Sequence, residues 1–194
     1  MQLGLFGGTF NPIHHGHLII ADALIKNLSL DRIIFIPAAL PPHKQTQTIC
    51  AAEHRYRMIE LAIQSCPEFS VSDYEFSRAQ ISYTIDTVEA FKEKYKSDLL
   101  YLIIGADSLN EIHTWRQPDR LFEMIRIVVV NRPGVNFNDI DPKYRDNVLW
   151  SNAPLIEISS SHIRQQVKAQ QSIRFLVPQA VEDYIREKRL YQDI

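Results

Sequence analysis

The chain has 194 residues, 45% of them hydrophobic, enough to bury the core of one ordinary domain and short for two, so residues 1–194 read as a single domain. A formal charge of −2 excludes a general positive field for wrapping a nucleic-acid backbone, so any phosphate binding must be local. Cys50 and Cys66 match no zinc, redox or disulfide-scaffold spacing, and no apolar run approaches the ~20 residues of a membrane span, so the expectation is a cytoplasmic protein with structural thiols, no membrane and no nucleic-acid partner.

Taken in chain order, short apolar runs at 3–6, 32–36, 69–72, 99–104, 127–130 and 155–157 suit buried parallel strands. Amphipathic stretches at 17–28, 53–65, 83–95, 120–124, 162–169 and 179–188 read as helices, several introduced by Asp, Ser, Thr or Pro. Two polar, turn-rich stretches, 37–48 and 131–147, interrupt the pattern without forming linkers. Alternating strand and helix predict an α/β fold, a doubly wound, Rossmann-like parallel sheet in three α/β/α layers. In such sheets ligands bind beyond the carboxyl ends of the strands, which places the site in the strand-to-helix loops.

The first strand runs into Gly7-Gly8-Thr9-Phe10-Asn11-Pro12-Ile13-His14-His15-Gly16-His17. Gly7 and Gly8 allow a sharp turn and close approach to a ligand, and the helix that follows offers free amides and a positive dipole end to an anion. His14 and His17 share a helix face, with Gly16 leaving room for a phosphate oxygen. Placed donors of this kind stabilise the charge that spreads over non-bridging oxygens in phosphoryl or nucleotidyl transfer. The spacing alone also suits a metal pair or a helix cap.

Ile158-Ser159-Ser160-Ser161-His162-Ile163-Arg164 repeats the arrangement. Ser159 is a candidate N-cap, Ser160 and Ser161 place hydroxyls beside free amides, and Arg164 can lean back towards an anion held there. An ordinary capped helix with a solvated arginine fits this segment equally well. A weaker group comprises Lys44 in Pro-Pro-His-Lys, Ser82 and Thr84 in Ser-Tyr-Thr, Gly105 and Asp107 in Ile-Gly-Ala-Asp-Ser, Trp115, and Arg132 in Arg-Pro-Gly. Lys44 suits a phosphate, Asp107 a ribose hydroxyl and Trp115 a flat heterocycle, although each residue type is more often structural. A Gly-x-x-x-x-Gly-Lys-Ser/Thr loop, a Gly-x-Ser-x-Gly elbow and a Gly-x-Gly-x-x-Gly fingerprint after the first strand are all missing, which removes the main support for kinase, hydrolase and dehydrogenase readings.

The two principal motifs together resemble the nucleotidyltransferase superfamily. The weaker motifs, in their order, and the tail from Leu176 through Tyr191 are similar to bacterial nicotinate-nucleotide adenylyltransferases over almost the whole chain. That resemblance implies an enzyme that joins the AMP of ATP to nicotinate mononucleotide, without a covalent enzyme intermediate, giving nicotinate adenine dinucleotide and pyrophosphate in NAD biosynthesis. It implies His14, His17 and Arg164 as catalytic residues, and Gly7, Gly8, Thr9, Phe10, Lys44, Gly105, Asp107, Arg132, Ser159, Ser160 and Ser161 around ATP and its phosphates. Thr84 and Trp115 would lie at the nicotinate. Magnesium would arrive with ATP rather than on a protein metal site. Asn11 stands where many relatives have aspartate and Ser161 where threonine is usual; both keep a short polar side chain. Relatives that adenylylate phosphopantetheine or use CTP, and a nucleotide-binding regulator without catalysis, are the alternatives. Homo-oligomerisation is left open.

Overall fold

The computed structural model describes residues 1–39, 49–77 and 83–192. Strands β1 (Gln2–Gly8), β2 (Arg32–Pro37), β3 (Phe69–Val71), β4 (Leu99–Gly105), β5 (Arg126–Val130) and β6 (Leu149–Trp150) form one sheet in the order β3-β2-β1-β4-β5-β6. Every pairing is parallel, with Phe6 opposite both Phe35 and Ile103. The period of two along the strands sorts the core into two layers. Phe6, Ile33, Phe35, Ile103 and Val128 face one side, covered by α1 (His15–Leu28), α2 (Ala52–Ile63), α7 (Ser160–Lys168) and α8 (Gln179–Glu187). Leu5, Ile34, Leu102 and Val129 face the other, covered by α3 (Thr84–Lys94), α4 (Ala106–Asn110), α5 (Pro118–Met124) and α6 (Pro142–Arg145). The doubly wound three-layer architecture is therefore the one the alternation predicts.

Strand order reverses between β1 and β4, so their carboxyl ends, at Gly8 and Gly105, flank the crevice where such sheets bind ligands. One expected strand is corrected. The run 155–157 is irregular, and the sixth strand is instead Leu149–Trp150, paired with Val128 and Val129. Pro154 lacks a donor for the ladder, and Leu155 is 57% exposed, so its apolar character is not buried by pairing. The stretch 131–147 also contains the short helix α6, which Asp141 caps by accepting from the Lys143 amide at 2.9 Å.

Candidate active site

The β1–α1 loop is shaped by Phe10. Its φ of 47° turns the backbone sharply, while its ring is buried against Phe6, Phe35 and His17. A Cβ on Gly8 would lie 2.9 Å from that ring, so only glycine lets the loop close over it. Phe10 thus supports the loop from below, and any contact it makes to a ligand falls to its backbone.

Helix α1 starts two residues earlier than the apolar period suggests. His14 is its N-cap, in extended conformation, and His17 lies in the first turn. Their rings stack with centroids 3.7 Å apart. The His14 backbone N–H donates to His17 Nδ1 at 3.3 Å. An accepting Nδ1 carries no proton, so the neutral His17 ring keeps its proton on Nε2, ready to donate. His14 Nδ1 is buried without a hydrogen-bond partner among the described residues. Such an atom is costly unless something occupies the site.

Burial lowers the His14 pKa to about 3, with the Arg132 charge and His15 adding to the effect. His17 is held well below its ordinary value by burial, then by His14 and Arg132. Both rings are therefore neutral donors or acceptors near pH 7. Arg132, which the sequence could connect to them only through resemblance, is close enough for its charge to be felt at both rings.

The second motif meets the first directly. Ser159 caps α7 by accepting from the His162 amide at 3.2 Å, which leaves the Ser160 and Ser161 amides as first-turn donors. Ser160 Oγ donates to Pro12 O at 2.8 Å. Arg164 donates from Nη1 to Asn11 O at 2.9 Å and from Nη2 to Ser161 Oγ at 3.3 Å. Two helix N-termini are thus tied to the same loop at residues 11 and 12, each bringing a positive dipole end to it.

A cavity of about 360 Å³ opens beside this loop, lined by Gly7, Gly8, Thr9, Thr84, Trp115 and other residues of β1, α3 and the segment after α4. It joins the first motif to the two residues expected at the nicotinate. Gly105 ends β4 and Asp107 follows in α4, where Arg132 Nε stands 3.4 Å from Asp107 Oδ1. A Cβ on Gly105 would collide with that Asp107 carboxylate. A wider cavity of about 570 Å³ lies at the opposite end of the sheet, around Leu99 and Arg126, and none of the candidate residues lines it. Lys44 and Ser82 fall outside the described residues.

The sequence reading passed over Arg55 and Arg116, and it noted Asn11 only as a short polar residue of the loop. Arg55, 1% exposed, donates to the carbonyls of Thr9 and Ala38 from Nη1, Ala39 from Nη2 and Cys50 from Nε, at 2.7 to 3.1 Å. It clamps the β1–α1 loop to the end of β2. A signal existed, since Arg55 shares the apolar face of α2 with Met58 and Ile59. Asn11 Oδ1 accepts from Tyr191 Oη at 3.0 Å and from the Cys50 amide at 3.3 Å, holding the loop from two remote segments. Arg116, next to Trp115, also lines the cavity.

The cytidylyltransferase-like family model matches residues 5–166, which contain both motifs. A Citrifermentans bemidjiense protein named "Probable nicotinate-nucleotide adenylyltransferase" is 42% identical, over 100% of this chain and 99% of its own length. This chain belongs to the nicotinate-nucleotide adenylyltransferase family. A Thermoanaerobacter family member of the same name is also 42% identical, over 99% of this chain and 95% of its own. The family fold is seen in a Plasmodium falciparum nicotinic acid mononucleotide adenylyltransferase complexed with NaAD, which superposes with a TM-score of 0.81 at 19% identity, covering 98% and 97% of the two chains. As a member of this family the chain is a nucleotidyltransferase enzyme.

Proposed function

We propose that the chain transfers the AMP of ATP to nicotinate mononucleotide, forming nicotinate adenine dinucleotide and releasing pyrophosphate. The observation that carries this reading is the convergence of the α1 and α7 N-termini, with two neutral buried histidines, beside a cavity that ends on Trp115 and Thr84. Relatives at 42% identity over the full chain bear the corresponding name.

In this mechanism a phosphate oxygen of the mononucleotide attacks the α-phosphorus of ATP in line. The bond from that phosphorus to the β-phosphate bridging oxygen breaks, and pyrophosphate leaves with the electron pair. His17 donates from Nε2 to the reacting phosphate, and His14 holds the same group from the neighbouring ring. Neutral donors suit charge that develops transiently, because they need not be deprotonated or paid for by desolvating a cation. Ser159 caps α7, and the Ser160 and Ser161 amides with Arg164 hold the ATP phosphates at its N-terminus. Gly7, Gly8, Thr9 and Phe10 present their backbone to the nucleotide. Gly105 and Asp107 receive the adenosine, Arg132 adds positive charge, and Lys44 is a further phosphate contact. Thr84 and Trp115 receive the nicotinate.

Among the described residues no three His, Cys, Asp or Glu side chains are grouped to hold a metal ion. Magnesium suits this chain as a complex with ATP, because it prefers phosphate oxygens and water, and there it would neutralise charge on the leaving pyrophosphate.

The test is pyrophosphate release from ATP and magnesium with nicotinate mononucleotide, nicotinamide mononucleotide or phosphopantetheine offered separately. Strong release with nicotinate mononucleotide is expected. Release only with phosphopantetheine would overturn the pocket assignment, and silence with all three would overturn the enzyme mechanism.

A further inference from the structure

We infer that Arg116 is a specificity-determining residue, whose guanidinium pairs with the carboxylate of the pyridine ring and so favours acid over amide substrates. This rests on the proposed use of a pyridine mononucleotide. Among the described residues lining the cavity, Arg116 is the one cation. The two acids there are Glu75, which accepts from Thr87 Oγ1 at 3.0 Å, and Glu111.

Arg116 is braced without being consumed. Its guanidinium carbon lies 4.9 Å from the Tyr83 ring centroid, a cation–π contact that holds the plane of the group. Its Nη1 is 3.7 Å from Asp86 Oδ2, an ion-pair distance longer than a hydrogen bond. The guanidinium therefore keeps its fork of N–H donors for a ligand, and a carboxylate is the group that matches this fork. Tyr83 and Thr84, at the start of α3, line the same cavity, so the positive end of that helix reinforces the preference for an anion.

Trp115 is adjacent and half-buried, a flat wall for the pyridine. A ring stacked there carries its carboxyl or carboxamide group at its edge. A carboxylate gains charge-assisted hydrogen bonds from Arg116, whereas an amide gains only a neutral acceptor contact.

The test compares kcat/KM for nicotinate and nicotinamide mononucleotides in the wild-type protein, Arg116→Gln and Arg116→Lys. In Arg116→Gln, kcat/KM for the acid should fall about tenfold, through KM, while that for the amide changes by less than about twofold. Arg116→Lys should lie between, because it keeps the charge and loses the fork. An equal change for both substrates, or an unchanged acid-to-amide ratio, overturns the inference. Arg116 is 51% exposed, so its replacement leaves the core intact. A wild-type protein inactive on both mononucleotides would instead overturn the underlying reading of the pocket, which the wild-type assay alone reveals.

Discussion

Arg164 Nη1 donates to the carbonyl of Asn11 at 2.9 Å, joining residues 153 positions apart in the chain. The same guanidinium reaches Ser161 Oγ from its other terminal nitrogen. Arg164 thus fixes the relation between the two helix N-termini, and in the proposed mechanism it also presents charge to the ATP phosphates. Arg164→Lys keeps the charge and loses the planar fork. Turnover should fall by roughly tenfold or more, with a stability loss of about 1 kcal/mol, measured by steady-state kinetics and urea unfolding of the same preparations. Unchanged kcat would remove the phosphate role.

His17→Ala removes the Nε2 donor and the acceptor of the His14 amide. Loss of one placed donor to a developing charge costs roughly 10²–10³-fold in kcat. A drop of that size with cooperative unfolding retained is expected. Near-normal turnover would exclude His17 from the chemistry.

Gly16 is fixed by its neighbours rather than by its dihedrals. A Cβ there would lie 3.0 Å from His14 Nδ1, 3.1 Å from its Cε1 and 3.2 Å from Ile156 Cγ2. Gly16→Ala must push the His14 ring or the irregular segment bearing Ile156. We expect about 1–3 kcal/mol of destabilisation and a lower kcat. A variant as active and stable as wild type would show that the cleft adapts.

Stability should depend on pH through the same two rings. Burial keeps His14 neutral down to about 3 and His17 neutral well below its ordinary value of 6.5. In the unfolded chain both regain ordinary values. Below about pH 6.5 the unfolded state therefore binds more protons, so stability is full above that pH and falls as pH falls, by up to about 1.4 kcal/mol per unit for each ring. Urea unfolding from pH 7.5 to pH 4.5 should show a steeper decline in wild type than in a His14→Asn/His17→Asn double variant. Parallel slopes would mean that these rings are not held neutral.

Arg55→Met tests the clamp beneath the β1–α1 loop. Four carbonyls lose their donor together, from Thr9, Ala38, Ala39 and Cys50. The cost should be about 3 kcal/mol or more. Thermal unfolding measures it directly, and a shift within error would mean that water replaces the guanidinium without penalty.

The first motif was legible because its chemistry is local: two glycines, a strand end and histidines one helical turn apart. The sheet was legible because Ile33–Ile36 and Leu100–Ile104 are buried on both faces and so read as continuous apolar runs. The sixth strand was not, since Leu155 and Ile156 resemble a strand as well as Leu149 and Trp150 do, and only the pairing with β5 distinguishes them. Arg55 was passed over although it is a charge on an apolar helix face, and its four acceptors come from separate segments that no local pattern connects. The partnership of Asn11 with Tyr191 spans 180 residues and lies equally beyond sequence period.

That last contact bears on the order of events during folding and heating. The cleft is held by ties from Cys50, Arg164 and Tyr191 to Asn11, whereas the sheet is held by its own ladder. Contacts so far apart in the chain form late, after the entropy of closing large loops has been met. In reverse, detachment of the segment around Tyr191 would release the loop while the β-ladder persisted. Inactivation on warming would then precede unfolding, with catalysis reporting the docking of the C-terminal segment and circular dichroism reporting the sheet and helices.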